Sequence, residues 1–125
     1  MSGSIVLIAD AISSAPPIAL QENVALFAPG DVVNHKRHGY RGLIYDVDAV
    51  FSQSDEWYEI MASSKPSKDE PWYHILVDGE EHTTYVPQNN LMQFDGTKYE
   101  IDHPLVKQFF QPSTNGIFLA RNLLN

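Results

Sequence analysis

The chain has 125 residues, 43% of them hydrophobic, which suits one domain built around one core. Its 16 acidic residues against 8 Lys and Arg leave a formal charge of −8. The average surface therefore repels phosphate backbones and anionic membranes, and any nucleic-acid contact has to be local. The lack of Cys excludes a disulfide framework, a thiolate zinc site and a cysteine nucleophile, and it fits a cytoplasmic location.

Residues 1–26 form a compositionally separate arm. The apolar run at 5–12 is short, is interrupted by Asp10, and has no Lys or Arg ahead of it, so neither a secretory signal nor a membrane span is expected. Pro16 and Pro17 block a helix at that point and favour an extended backbone. The arm reads either as a disordered leader or as a docking element, a strand at 5–8 or a helix at 18–26. The second option would cover an apolar patch or pair with a neighbouring subunit in a homo-oligomer.

Pro29-Gly30-Asp31 is turn chemistry, since Pro fixes φ and Gly permits a positive one, so a strand is predicted from Asp31 or Val32. Residues 35–41 (HKRHGYR) are polar, with Gly39 marking a bend or bulge. From Gly42 the pattern alternates, Leu43, Tyr45 and Val47 on one face and Ile44, Asp46 and Asp48 on the other, predicting a half-buried strand. Residues 51–70 form a long connection in which Ser54 or Asp55 could cap a short helix through Trp57, Tyr58, Ile60 and Met61. A loop of this length in a small domain is either mobile or functional.

The segment WYHILV at 72–77 is the next strand, and Asp78-Gly79 starts a hairpin turn into a strand at 83–86 that Pro87 stops. A tight or single helical turn comes next at 88–91. Residues 99–101 are predicted as a short strand, and 104–110 as a helix with Pro104 at its first position and His103 or Asp102 as its cap. The tail carries enough apolar side chains to dock. These elements predict a mainly β domain, a small SH3-like partly open barrel with a short C-terminal helix, with an OB-type barrel as the alternative. The expected division is an arm at 1–26, a barrel at 27–111 and a tail at 112–125 packing on the domain.

Residues 35–41 concentrate three of the eight basic residues and two of the five histidines. Such a loop could hold phosphate, with Arg37 or Arg41 forking onto oxygens and Tyr40 offering a stacking face, or its cations could simply pair with the plentiful carboxylates. Asp46 and Asp48 sit ~7 Å apart along one strand face, a spacing that could serve a metal with His74 or His82 nearby, although no metal motif supports it. Trp57, Tyr58, Trp72 and Tyr73 flank the long loop and are either a stacking surface or core. No nucleophile with a recognisable base and no phosphate-binding glycine loop occurs, so a binding module is favoured over an enzyme.

The motifs GDVVNHKRHGYRGLIYDVDAVF, DEWY, PWYHILV and YVPQNNL occur in that order. Together they resemble the heat-shock protein HspQ family, also called YccV-like or hemimethylated-DNA-binding proteins, over about residues 27–110. The resemblance implies an SH3-like barrel, no catalytic activity, no cofactor, and a small cytoplasmic stress factor. It further implies association with hemimethylated DNA and a role as specificity factor for ATP-dependent proteolysis, notably by the Lon protease. A homologous domain ends certain F-box proteins. The arm at 1–26 has no counterpart in the compact bacterial members, and the tail after Phe110 is more like the F-box-associated version.

The first expectation is thus a non-enzymatic, stress-related adaptor whose partner is a protein, either an ATP-dependent protease or its substrates. Binding of hemimethylated DNA through residues 35–41 is second and a metalloenzyme third, because a net charge of −8 opposes DNA approach and three clustered cations offset this only in part. The candidate partner- or DNA-binding residues are His35, Lys36, Arg37, Tyr40, Arg41, Trp57, Trp72 and His74. No catalytic residue, metal ligand or membrane contact is expected in that reading.

Overall fold

The computed structural model describes residues 24–62, 64–96, 100–112 and 117–121. Five antiparallel strands form one sheet: β1 (Val32–His35), β2 (Arg41–Asp48), β3 (Trp72–Val77), β4 (Thr83–Pro87) and β5 (Leu91–Gln93). Their order is β4-β3-β2-β1-β5. The first four make a meander of hairpins, and a single 3-10 turn, Gln88–Asn90, carries the chain back so that β5 pairs with β1. β4 and β5 do not pair with each other, so the domain is a small, partly open barrel of the SH3-like kind.

The turn before β1 forms as its composition dictates. Gly30 adopts φ +100°, and its N–H donates to the Ile44 carbonyl at 2.9 Å. The alternation predicted for β2 is corrected by a bulge between Ile44 and Asp46. Leu43 and Ile44 are both fully buried on opposite faces, and Val47 packs with Ile44 instead of with Leu43 and Tyr45. An extra residue in one strand resets the side-chain period, so Asp46 and Asp48 share a face with His74 rather than with Ile44.

Both faces of the sheet are covered, so β3 is buried almost throughout. One core holds Val33, Ile44, Tyr73, Ile75, Val86 and Leu91. The other holds Val32, Leu43 and Leu76 under Phe110 and Ala120 from the C-terminal segment. Two contacts hold that segment: Phe110 bridges Ala120, and Gln111 N–H donates to the Leu119 carbonyl at 2.9 Å.

The C-terminal helix is shorter than predicted. α2 spans only Val106–Phe109. His103 is buried and its Nδ1 accepts the Leu105 N–H at 3.1 Å, so the ring ties the helix entry, while Nε2–H donates to the His82 carbonyl at 2.9 Å. Sequence patterning also passed over β5, whose three residues LMQ contain one buried side chain. Its extended backbone is a product of pairing with β1. Of the strand predicted at 99–101, Tyr99 lies outside the described residues and Glu100 and Ile101 are not strand. Within the arm, the strand at 5–8 and most of the helix at 18–26 lie outside the described residues, and 24–26 are not helical.

In the long connection a helix does form, α1 (Asp55–Met61). Ser54 is its N-cap, its hydroxyl accepting the Trp57 N–H at 3.0 Å, with Asp55 and Glu56 complementing the dipole in the first turn. Ser54→Ala is expected to cost about 1 kcal/mol, read as a lower urea midpoint at unchanged slope.

Candidate binding groove

The β1–β2 hairpin, edge strand β4 and the α1 connection enclose a groove of about 510 Å³. Its position is set by the fold: among the described residues β4 has a strand neighbour on one side only, and the connection from β2 to β3 packs against the Tyr85 side chain of that strand. The connection is tied down at several points. Lys68 Nζ lies 4.4 Å from the Tyr58 ring centroid and pairs with Asp55 at 3.2 Å. The Tyr58 hydroxyl donates to the Pro66 carbonyl, and Lys65 Nζ reaches the Glu59 carbonyl at 3.1 Å at the helix C-terminus. These contacts give the connection a packed conformation.

An aromatic cluster floors the groove. Trp72 stacks on Tyr85 at 5.1 Å between ring centroids, and Trp57 meets Tyr85 edge-on at 5.4 Å. Trp72 is 1% exposed and its indole N–H donates to the Ser67 carbonyl at 3.1 Å, so its ring is a structural floor. Trp57 is half-buried and lines the groove with Met61.

A polar relay runs beneath Tyr85. Ser52 N–H donates to the Tyr85 oxygen at 3.0 Å, Tyr85 O–H donates to Asp48 Oδ2 at 2.7 Å, and the same oxygen lies 3.0 Å from His74 Nε2. Burial and the bond to Asp48 raise the Tyr85 pKa, so the hydroxyl stays a protonated donor at any working pH. Asp46, Asp48 and His74 also each offer one ligand atom within 4.8 Å of the others, the juxtaposition that the paired carboxylates suggested. Asp48 and His74 engage one another and support Tyr85, whereas Asp46 Oδ1 accepts the Val47 N–H at 2.9 Å. His82 is elsewhere, its ring beside Glu80 at 3.9 Å.

His35, Arg37, Tyr40, Trp57, Trp72 and His74 are brought together around this one groove. Lys36 is exposed on the same hairpin. Arg41 is not part of the groove: its guanidinium bonds Asp78 at 2.7 and 3.2 Å and the Glu100 carbonyl at 3.1 Å, and it lies 5.1 Å from the Phe94 ring centroid. Tyr85 was missing from the expected site residues. Its place directly across from His74 in the β3–β4 hairpin is the signal that marks it.

Asp78 gives a pH dependence. Burial opposes its ionisation, but the Asp102 N–H at 2.6 Å and the Arg41 guanidinium outweigh that and hold its pKa below the ordinary 3.8. A depressed carboxyl pKa contributes stability that is complete above the unfolded value and is lost as pH falls through the folded one. Stability should therefore drop as pH is lowered below about 3.8, and Arg41→Ala should shrink that drop while costing about 1–2 kcal/mol at pH 7. Urea melts from pH 7 to pH 2 check both.

An open five-stranded roll with an aromatic groove at its edge strand defines a small-barrel domain of the SH3-like class. The model of one such family, described as hemimethylated DNA-binding protein YccV like, matches residues 25–116. The chain belongs to this YccV-like family. Among the described residues no helix is long and apolar enough to cross a membrane.

Proposed function

We infer that the protein is a non-enzymatic binding module whose groove holds a segment of a protein partner. In this reading it acts in the cytoplasm as a stress-related adaptor or specificity factor for ATP-dependent proteolysis. The observation that carries it is the groove itself: an aromatic floor of Trp72 and Tyr85, a half-buried Trp57 on its wall, and alongside it the edge of β4, which no described strand pairs. Aromatic anchors beside a sheet edge suit an extended peptide, whose backbone pairs with the edge while a side chain fills the pocket. The acidic surface also suits protein recognition better than a polyanion. Adding the protein to a purified Lon-type protease should change the turnover of a recognised substrate several-fold, and Trp57→Ala should abolish the change. Turnover that is indifferent to the protein would refute the adaptor role.

Hemimethylated DNA is the second reading, favoured by the description of the family. Arg41 is engaged with Asp78, so the cations of the 35–41 hairpin open to phosphate are Lys36 and Arg37. Two phosphate contacts give a slope of about −1.8 in log K against log salt. Arg37→Ala should halve that slope, and Arg41→Ala should leave it unchanged. Undetectable or salt-insensitive binding sinks this reading.

A further inference from the structure

The hairpin wall of the groove carries a donor that no described residue engages. His35 is 6% exposed, and its Nδ1 accepts the backbone N–H groups of Arg37 at 3.1 Å and His38 at 3.0 Å. A ring nitrogen that accepts two N–H bonds carries no proton, so in the neutral imidazole the proton sits on Nε2. Burial, with His38 and Arg37 nearby, lowers the pKa of His35, which keeps the ring neutral and the tautomer fixed. Among the described residues Nε2–H has no hydrogen-bond partner. His35 lines the groove, so a ring donor with no protein partner among the described residues is available there to a ligand acceptor.

The surroundings hold this donor in place. The His35 ring lies against His38 at 4.6 Å and Tyr40 at 5.1 Å, and the Tyr40 hydroxyl bonds Thr84 Oγ1 at 2.7 Å, which clamps the hairpin to β4. Arg37 lines the same end of the groove, and its guanidinium makes no ion pair among the described residues. A fixed neutral donor beside an exposed cation matches a group that only accepts and carries negative charge.

We propose that the His35 end of the groove is a carboxylate subsite: His35 Nε2–H and Arg37 hold the acid group of a bound peptide, while Trp57, Met61 and Tyr85 receive the adjoining apolar side chain. This rests on the reading of the groove as a protein-binding site. A carboxylate is favoured over a nucleic-acid phosphate because it brings a single charge, whereas a polymer of phosphates meets the repulsion of a chain at −8.

The test is an NMR titration of the full-length, nitrogen-15-labelled protein with acetyl-Leu-Asp-amide and with its neutral isostere acetyl-Leu-Asn-amide. The acidic peptide should shift His35 Nε2 and the Arg37 and His38 amides, and should bind at least about tenfold more tightly than the isostere. His35→Asn places an amide oxygen near the position of Nδ1, so the hairpin N–H groups keep an acceptor while the groove donor is deleted. It should erase most of the tenfold preference, as should Arg37→Gln, an exposed substitution that leaves the hairpin bonds intact. Equal affinity for the two peptides, no shift with either at millimolar concentration, or shifts away from the hairpin would overturn the proposal. So would shifts at His35 produced only by a DNA duplex. A failed degradation assay does not bear on this result, since the titration reads peptide chemistry without a protease.

Discussion

Trp72→Ala is expected to cost about 3–5 kcal/mol and to shift the urea midpoint further than any other substitution in the aromatic cluster. The side chain is 1% exposed, stacks on Tyr85 and meets Phe51 edge-on at 5.0 Å between centroids. Truncation removes that burial, leaves a cavity under the groove floor, and orphans the Ser67 carbonyl that the indole N–H satisfies. With small domains stable by about 5–15 kcal/mol, such a loss leaves little margin at 37 °C. Trp57→Ala is the informative contrast. Its ring is half-buried on the groove wall, so the loss of stability should be about 1–2 kcal/mol while the effect on substrate turnover disappears. An unchanged midpoint for Trp72→Ala would remove it from the core and return it to the contact surface.

Gly30→Ala is expected to cost about 3 kcal/mol or more. The residue adopts φ +100°, where an L side chain is strained by about 1–2 kcal/mol. The added Cβ would also come 2.5 Å from the Phe118 carbonyl oxygen, a backbone atom with no side-chain freedom to move away. The clash should displace the docked C-terminal segment. Hydrogen exchange distinguishes the two effects: turn strain alone lowers protection globally, whereas loss of docking exposes the Gln111 amide, now bonded to Leu119, ahead of the rest. An Ala variant as stable as the parent would show that the segment yields freely.

Much of the fold was legible in residue order. The Pro-Gly and Asp-Gly turns, the WYHILV strand and the Ser54 cap are local chemistry, and each forms where composition places it. β5 was not legible, because LMQ has no periodicity and is extended only through its pairing with β1. The faces of β2 were misread for a related reason: a bulge is an agreement between two strands, and nothing in GLIYDVD alone marks where β3 forces it. The candidate site was legible as residue types and not as roles. Arg41 and Arg37 look equivalent in HKRHGYR, yet one braces Asp78 and the other lines the groove.

By itself the sequence determined a Cys-free, acidic, mainly β chain with YccV-like motifs and a basic hairpin, because composition and turn propensities are properties of single residues and near neighbours. Only the tertiary structure decided that Trp72 is floor and Trp57 wall, that Tyr85 belongs to the groove, and that the buried His35 spends Nδ1 on two hairpin N–H groups and, among the described residues, leaves Nε2–H without a partner. Burial and hydrogen-bond pairing depend on what long-range strand register brings opposite each side chain, and that is not encoded in any short stretch of chain.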